Sequence, residues 1–316
     1  MVGYENRQPP EGINVSREHP LATFAKLAVA ALALVVGLVL LVQFAGGFAA
    51  KRIPFGTERR LVERLDVEFG DDAASPGTVA YLNDLADRLV PFMDLPDGMA
   101  VDVHYDPAGT VNAFATAGGH LVFYRGLLER MPHENALAMV MAHEIAHVLH
   151  RDPVASLGGG VASSVALLVL TGNAGSRAAS DVLRNAGLVT GMSFTRRMER
   201  EADAAAVDAV AGLYGHVAGA SALFELAEAA DGDADPGPEG GDGTEGGVDG
   251  AGEGGGERRG RRARELFERF ASTHPLDADR IRAIDERARE RGVPTVGETT
   301  PLPEDFSRRL DASTNR

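Results

Sequence analysis

The chain of 316 residues contains no cysteine. That excludes disulfides, thiol catalysis and a cysteine-ligated metal site, and it leaves the redox compartment unreadable. Lysine is almost as scarce, occurring only at Lys26 and Lys51, so arginine carries nearly all of the positive charge. The arginines form no basic stripe of the kind that tracks nucleic acid, and no nucleic-acid partner is expected. Positive charge is missing altogether from residues 231–257, where glycine and nine carboxylates dominate. Such a segment reads as a flexible, self-repelling disordered linker, and it supplies nine of the fifteen net negative charges.

Charge is also missing between Leu27 and Ala50, where Gln43 is the one strongly polar residue. As a helix this stretch spans ~36 Å, enough for a hydrocarbon core of ~30 Å. A cleaved signal peptide is the rival reading, because Ala45, Gly46, Gly47, Ala49 and Ala50 offer small-residue cleavage sites. Its apolar run is long for that, so a retained single-pass anchor in the cell membrane, in contact with lipid, is expected over 27–50. Lys51, Arg52, Arg59, Arg60 and Arg64 after the segment outnumber Arg17 and Lys26 before it, which places the bulk of the chain on the cytoplasmic side. Residues 1–20 read as a disordered tail. A second uncharged stretch, Pro153 to Ser176, has an apolar centre of ten residues, too short to span. We expect a helix over 155–171 that is buried or touches the membrane surface.

Within the remaining chain, His143-Glu144-Ile145-Ala146-His147 sets two imidazoles one helical turn apart with a carboxylate between them. Residues i and i+4 lie about 40° apart around a helix, so both rings can reach one metal ion while Glu144 faces an incoming water. Residues 135–150 contain no Gly or Pro and are apolar almost all round, which predicts a buried helix. Pro132 suits its first turn, and Asp152-Pro153 is a stop signal. Zinc needs a third protein ligand, which can lie far along the chain. Glu199 and Asp203 are again i and i+4 and lead a second helical run. One can bind the metal while the other hydrogen-bonds a ligand histidine from behind. Glu201 lies about 200° from Glu199 and should face solvent.

These residues resemble the membrane-associated zinc metallopeptidases of the HtpX and CAAX-prenyl-protease type, metallopeptidase family 48, a gluzincin group. The resemblance covers roughly residues 90–291. It rests on Asn112-Ala113-Phe114-Ala115 with Gly118-Gly119, on the His143 to His147 motif with Arg151-Asp152, on Phe194-Thr195-Arg196-Arg197 leading to Glu199-x-Glu201-Ala202-Asp203, and on Thr273-His274-Pro275 with Arg280-Ile281. Thr195 stands where many relatives carry Ser. The resemblance implies that Glu199 is the third ligand and Asp203 its supporting carboxylate. It implies one Zn2+ per chain and a zinc metalloendopeptidase acting on polypeptides, with Glu144 as general base. Damaged or misassembled membrane proteins would be its substrates. His274, in the C-terminal signature, either approaches the zinc, to stabilise an oxyanion or to block the open position, or serves as a plain helix start before Pro275. Asn112, Ala113, Phe114 and Ala115 would form an edge strand for extended peptide. The opposing class is a non-catalytic, chaperone-like peptide binder of the same fold.

Among the other histidines, His150 sits ~10 Å of helical rise from His143, too far to share its ion, and reads as a capping or second-site residue near the helix C-terminus. His19, His104, His120, His133 and His216 carry no ligand spacing and read as structural or solvated. Short strands are expected over 100–105, 111–116 and 120–124, and helices over 79–93, 216–230, 261–271 and 277–291. The fold class is therefore α+β, mostly helical: a zincin-like domain over 58–291 with a small sheet, interrupted by the acidic linker, preceded by one transmembrane helix and followed by a loose tail from 294 to 316.

Overall fold

The computed structural model describes residues 20–64, 68–160, 194–226, 273–274 and 278–311. The expected N-terminal tail, the linker over 231–257, the helix over 261–271 and the second half of the apolar stretch 155–171 lie outside these residues. The elements run α1 (Pro20–Ala50), α2 (Phe55–Arg64), α3 (Pro76–Leu89), β1 (Asp102–Asp106), β2 (Ala113–Ala115), β3 (His120–Tyr124), α4 (Arg125–Leu128) and α5 (Glu134–Leu149). A helical stretch over 152–160, here α6, follows. Then come α7 (Arg196–Tyr214), α8 (Ala278–Glu290) and α9 (Phe306–Asp311).

Helix α1 has 31 residues and is long and apolar enough to cross a bilayer. Most of its side chains are left uncovered by the described protein, Leu34 and Phe44 each being 74% exposed, and only its end at Ala50 is buried. A contiguous apolar surface of this size is unstable in water and suits lipid.

The sheet has three strands in the order β1-β3-β2, with β1 parallel and β2 antiparallel to β3. In β1 the alternation of Asp102, Val103, His104, Tyr105 and Asp106 turns Val103 and Tyr105 inward. The 117–119 turn that leads into β3 depends on Gly119, held at φ 85° with Ala100 O 2.2 Å from where a Cβ would sit. Only glycine fits there. Strand β2 lies at an edge, as the peptide-binding reading requires.

Helix α5 is buried on every side from Glu134 to Val148. Its start differs from expectation: His133, not a residue of the Pro132 turn, caps the helix, its Nδ1 accepting the Ala136 N–H at 3.1 Å. The imidazole replaces the usual hydroxyl or carboxylate cap, and Pro132 lies just outside. Helix α7 packs along α5 through the small buried residues Ala202, Ala206 and Ala209. Thr195 caps its start, with Oγ1 accepting from Met198 N at 3.3 Å, and Gly215 ends it in the left-handed region at φ 75°. Glu134 ties the bundle together by accepting from Arg88 Nη2 at 2.7 Å and from Tyr81 and Tyr214 hydroxyls at 2.8 Å each. Three helices thus share one buried carboxylate.

Two expectations need correction. Residues 216–221 form turns rather than a helix, and helix resumes only over 222–226. Here the Ala218 N–H goes to His216 Nδ1 at 3.1 Å, a local side-chain bond that competes with the helical ladder. The segment from 294 is not a loose tail over 294–311. Phe306 and Leu310 are 3% and 1% exposed, and Thr300 O accepts from Glu134 N at 2.8 Å. Burial of two large apolar side chains outweighs the polar composition around them.

Candidate metal centre

Because α5 is regular, it sets His143 and His147 on one face with their Nε2 atoms 3.0 Å apart and the ring planes at 89°. From α7, Glu199 places Oε2 3.5 Å from His143 Nε2 and Oε1 3.6 Å from His147 Nε2. His274 brings a fourth donor, its Nδ1 lying 3.2 Å from His143 Nε2 and 3.3 Å from Glu199 Oε1. The four donor atoms lie within 4.8 Å of one another, and all four residues are buried. Donors ~2.0–2.1 Å from a tetrahedral zinc are roughly 3.3 Å apart, so the cluster has the size of one such ion.

Each ligand candidate is held from behind. His143 Nδ1 lies 2.9 Å from Asp203 Oδ1, and His147 Nδ1 lies 3.0 Å from Asp152 Oδ2. With carboxylates beside both Nδ1 positions, the Nε2 positions are left for the metal. From α8, Arg280 donates Nε and Nη2 to the two Asp203 oxygens at 2.8 and 2.7 Å, and its Nη1 lies 2.9 Å from Glu199 Oε2. Phe194 stacks on the His147 ring at 3.9 Å between centroids.

The electrostatics fit a cation. Burial opposes charge on His143, but the hydrogen bonds and charges of Asp203 and Glu199 overcome it and push the imidazole up to about 10. Burial and the neighbouring His143 bring His147 down to about 4, against the pull of Asp152. Burial alone would raise Glu199, yet His143 and His274 hold its carboxyl well below the ordinary range. Asp203 is likewise depressed, since Arg280 and His143 outweigh its burial. The two carboxylates of Asp203 and Glu199 that face His143 make the site attractive to positive charge. Its nitrogen and carboxylate donors suit zinc.

Glu144 is fully buried, and among the described residues no hydrogen bond reaches either of its carboxylate oxygens. His274 Nε2 lies 3.4 Å from its Oε1. A buried carboxylate left this way is costly and points to a group or water that joins it in use.

Of the residues singled out from sequence, His143, His147, Glu199, Asp203, Glu144 and His274 therefore meet in one place. Glu201 faces out and pairs with Arg197 at 3.1 Å. His150 follows the last turn of α5, as a capping residue should. His104 and His120 are bonded to each other at 3.0 Å on the outer face of the sheet, away from the cluster. Asn112 Oδ1 accepts from Thr273 Oγ1 at 3.3 Å, which ties the start of the β2 segment to the residue before His274.

Asp152 and Arg280 escaped the sequence reading as site residues. Asp152 was legible only as part of a helix stop and of the motif that follows His147, and Arg280 only as part of a C-terminal signature. A carboxylate five residues after His147 was the one available signal for the first; nothing local marked the second.

The chain matches Peptidase family M48 over residues 76–288. It is 33% identical over 111 residues to the mitochondrial metalloendopeptidase OMA1 of Saccharomyces cerevisiae, covering 34% of this chain and 32% of that protein. The beta-barrel assembly-enhancing protease of Escherichia coli K12 is 33% identical over 141 residues, 40% of this chain and 28% of the relative. OMA1 of Schizosaccharomyces pombe is 27% identical over 212 residues, 66% of this chain and 52% of the relative. The matches thus span about half or less of these relatives' lengths.

Proposed function

This chain belongs to peptidase family M48, and on that premise we propose that it is a membrane-tethered zinc endopeptidase that hydrolyses peptide bonds of unfolded or damaged proteins. The observation that carries the proposal is the convergence of His143, His147 and Glu199 from α5 and α7, with the buried Glu144 beside them. Zinc held there would supply Lewis acidity to polarise a scissile carbonyl and to acidify water.

The protein's own groups do the rest. Asp203 and Asp152 fix His143 and His147 through Nδ1, so that both Nε2 atoms face inward. Glu144 takes the proton of the attacking water and returns it to the leaving amine. Burial of the cluster excludes bulk solvent, so each of these charges acts in a low-dielectric setting. Strand β2, with Asn112 just before Ala113, Phe114 and Ala115, lies at an edge of the sheet among the described residues, and an extended peptide adds along it by main-chain hydrogen bonds. His274 stands where a fourth ligand would, so it regulates access to the open position. The exposed apolar α1 anchors the domain in the membrane, and the arginine-rich segment after it favours a cytoplasmic domain.

Cleavage of unfolded casein by wild type and by Glu144→Gln, compared at equal zinc occupancy, tests this reading. We expect turnover to vanish in the variant with zinc retained. Equal cleavage by both would remove the enzyme reading and leave a peptide-binding role.

A further inference from the structure

Lys51, the first residue after α1, donates from Nζ to His150 O at 2.7 Å and to Asp152 Oδ1 at 3.0 Å. The other oxygen of the same carboxylate, Asp152 Oδ2, lies 3.0 Å from His147 Nδ1. Asp152 is completely buried, and among the described residues Lys51 and His147 are the two partners of its carboxylate. A chain of hydrogen bonds therefore runs from the end of the anchor helix to a residue of the metal cluster.

The contact is built into the backbone. Where α1 meets α6, a Cβ on Gly158 would lie 2.4 Å from Ala50 Cβ and 2.8 Å from Gly46 O. A Cβ on Gly47 would lie 2.9 Å from Ala155 O. Small residues let the two helices touch, and close packing of this kind is how helices associate within lipid. Lys51 and Asp152 are adjacent to this crossing, so their separation is set by the docking of α1 on α6. A second tie lies beside it: Arg151 donates to Ile53 O at 2.7 Å and pairs with Glu58 Oε2 at 2.5 Å. Among the described residues, the segment after the anchor thus fastens to the end of the metal helix at several points.

We propose that Lys51 is a positioning residue for the metal ligand His147, acting through Asp152, so that the docked membrane anchor completes the metal site. The inference rests on the zinc reading given above. Lys51 fixes the Asp152 carboxylate in the one orientation that aims Oδ2 at His147 Nδ1, and so aims Nε2 at the ion. Without the ammonium, a buried carboxylate oxygen loses its partner and the group is free to turn away. Supporting carboxylates of this kind change metal affinity roughly 10–100-fold.

The test uses full-length protein in lipid nanodiscs, stripped of metal and titrated with zinc against a chromophoric chelator. Lys51→Met should weaken zinc binding about tenfold or more, and Lys51→Arg should restore most of it, because the donor is kept. Gly158→Leu, which disturbs the crossing without touching the polar chain, should weaken binding in the same direction. Lys26→Met, at the other end of α1, should not change it. Should Lys51→Met not fold, Asp152→Asn serves in its place: its amide can still accept from His147 but no longer carries the charge that Lys51 grips, and it should also bind zinc more weakly. Wild-type affinity in Lys51→Met, or in Asp152→Asn where that is the variant measured, overturns the inference while leaving the zinc reading intact. Failure of wild type to bind zinc overturns both.

Discussion

Arg280 grips Asp203 with two parallel hydrogen bonds, Nε to Oδ2 at 2.8 Å and Nη2 to Oδ1 at 2.7 Å, and both groups are buried. Through this fork α8 sets the carboxylate that orients His143, while Nη1 reaches Glu199 at 2.9 Å. A lysine offers one point charge in place of the planar fork. Arg280→Lys should therefore lower zinc affinity about tenfold with near-native circular dichroism. Unchanged zinc affinity would reduce Arg280 to a packing residue.

His274 Nδ1 lies 3.2 Å from His143 Nε2, within the donor cluster. Four protein donors close a tetrahedral ion and leave no position for substrate, whereas catalytic zinc keeps one open. His274→Ala should raise casein turnover severalfold while weakening zinc binding. Loss of turnover at full zinc occupancy would instead assign His274 to oxyanion stabilisation.

Glu134 lies outside the metal centre and tests the fold alone. Burial would raise its carboxyl, but hydrogen bonds from Arg88, Tyr214 and Tyr81 hold it below the ordinary value of 4.5. Its stabilising effect is complete above that value and disappears as pH falls through the depressed one. Thermal unfolding of Glu134→Gln should start lower than wild type near neutral pH and decline less between about pH 6 and pH 3. Parallel curves for the two proteins would count against the arrangement.

Gly119 carries φ 85° with Ala100 O 2.2 Å from a would-be Cβ, directly before β3. Gly119→Ala should cost about 2 kcal/mol or more in denaturant unfolding, a backbone clash added to left-handed strain. A loss under about 0.5 kcal/mol would mean that the turn relaxes.

Sequence went far where the signal is periodic or local. The i, i+4 spacing of His143 and His147, and of Glu199 and Asp203, reports directly on a helix face, and β3 over 120–124 was legible to the residue. The uncharged run to Ala50 marked α1 for the same reason. What failed was non-local. The 294 segment looked loose because its polar composition hid Phe306 and Leu310, whose burial depends on α3 and the core. The turns over 216–221 were missed because one histidine–backbone bond overrides helical propensity.

The residue types and their spacing determined by themselves that two imidazoles and a carboxylate could share one ion, because helix geometry converts spacing into direction. Only the tertiary structure decided which groups stand behind them. Arg280 and Lys51 reach the cluster from α8 and from the end of α1, and their distances along the chain carry no record of that contact. Partnership between side chains in three dimensions is fixed by packing, which is a property of the whole core rather than of any local pattern.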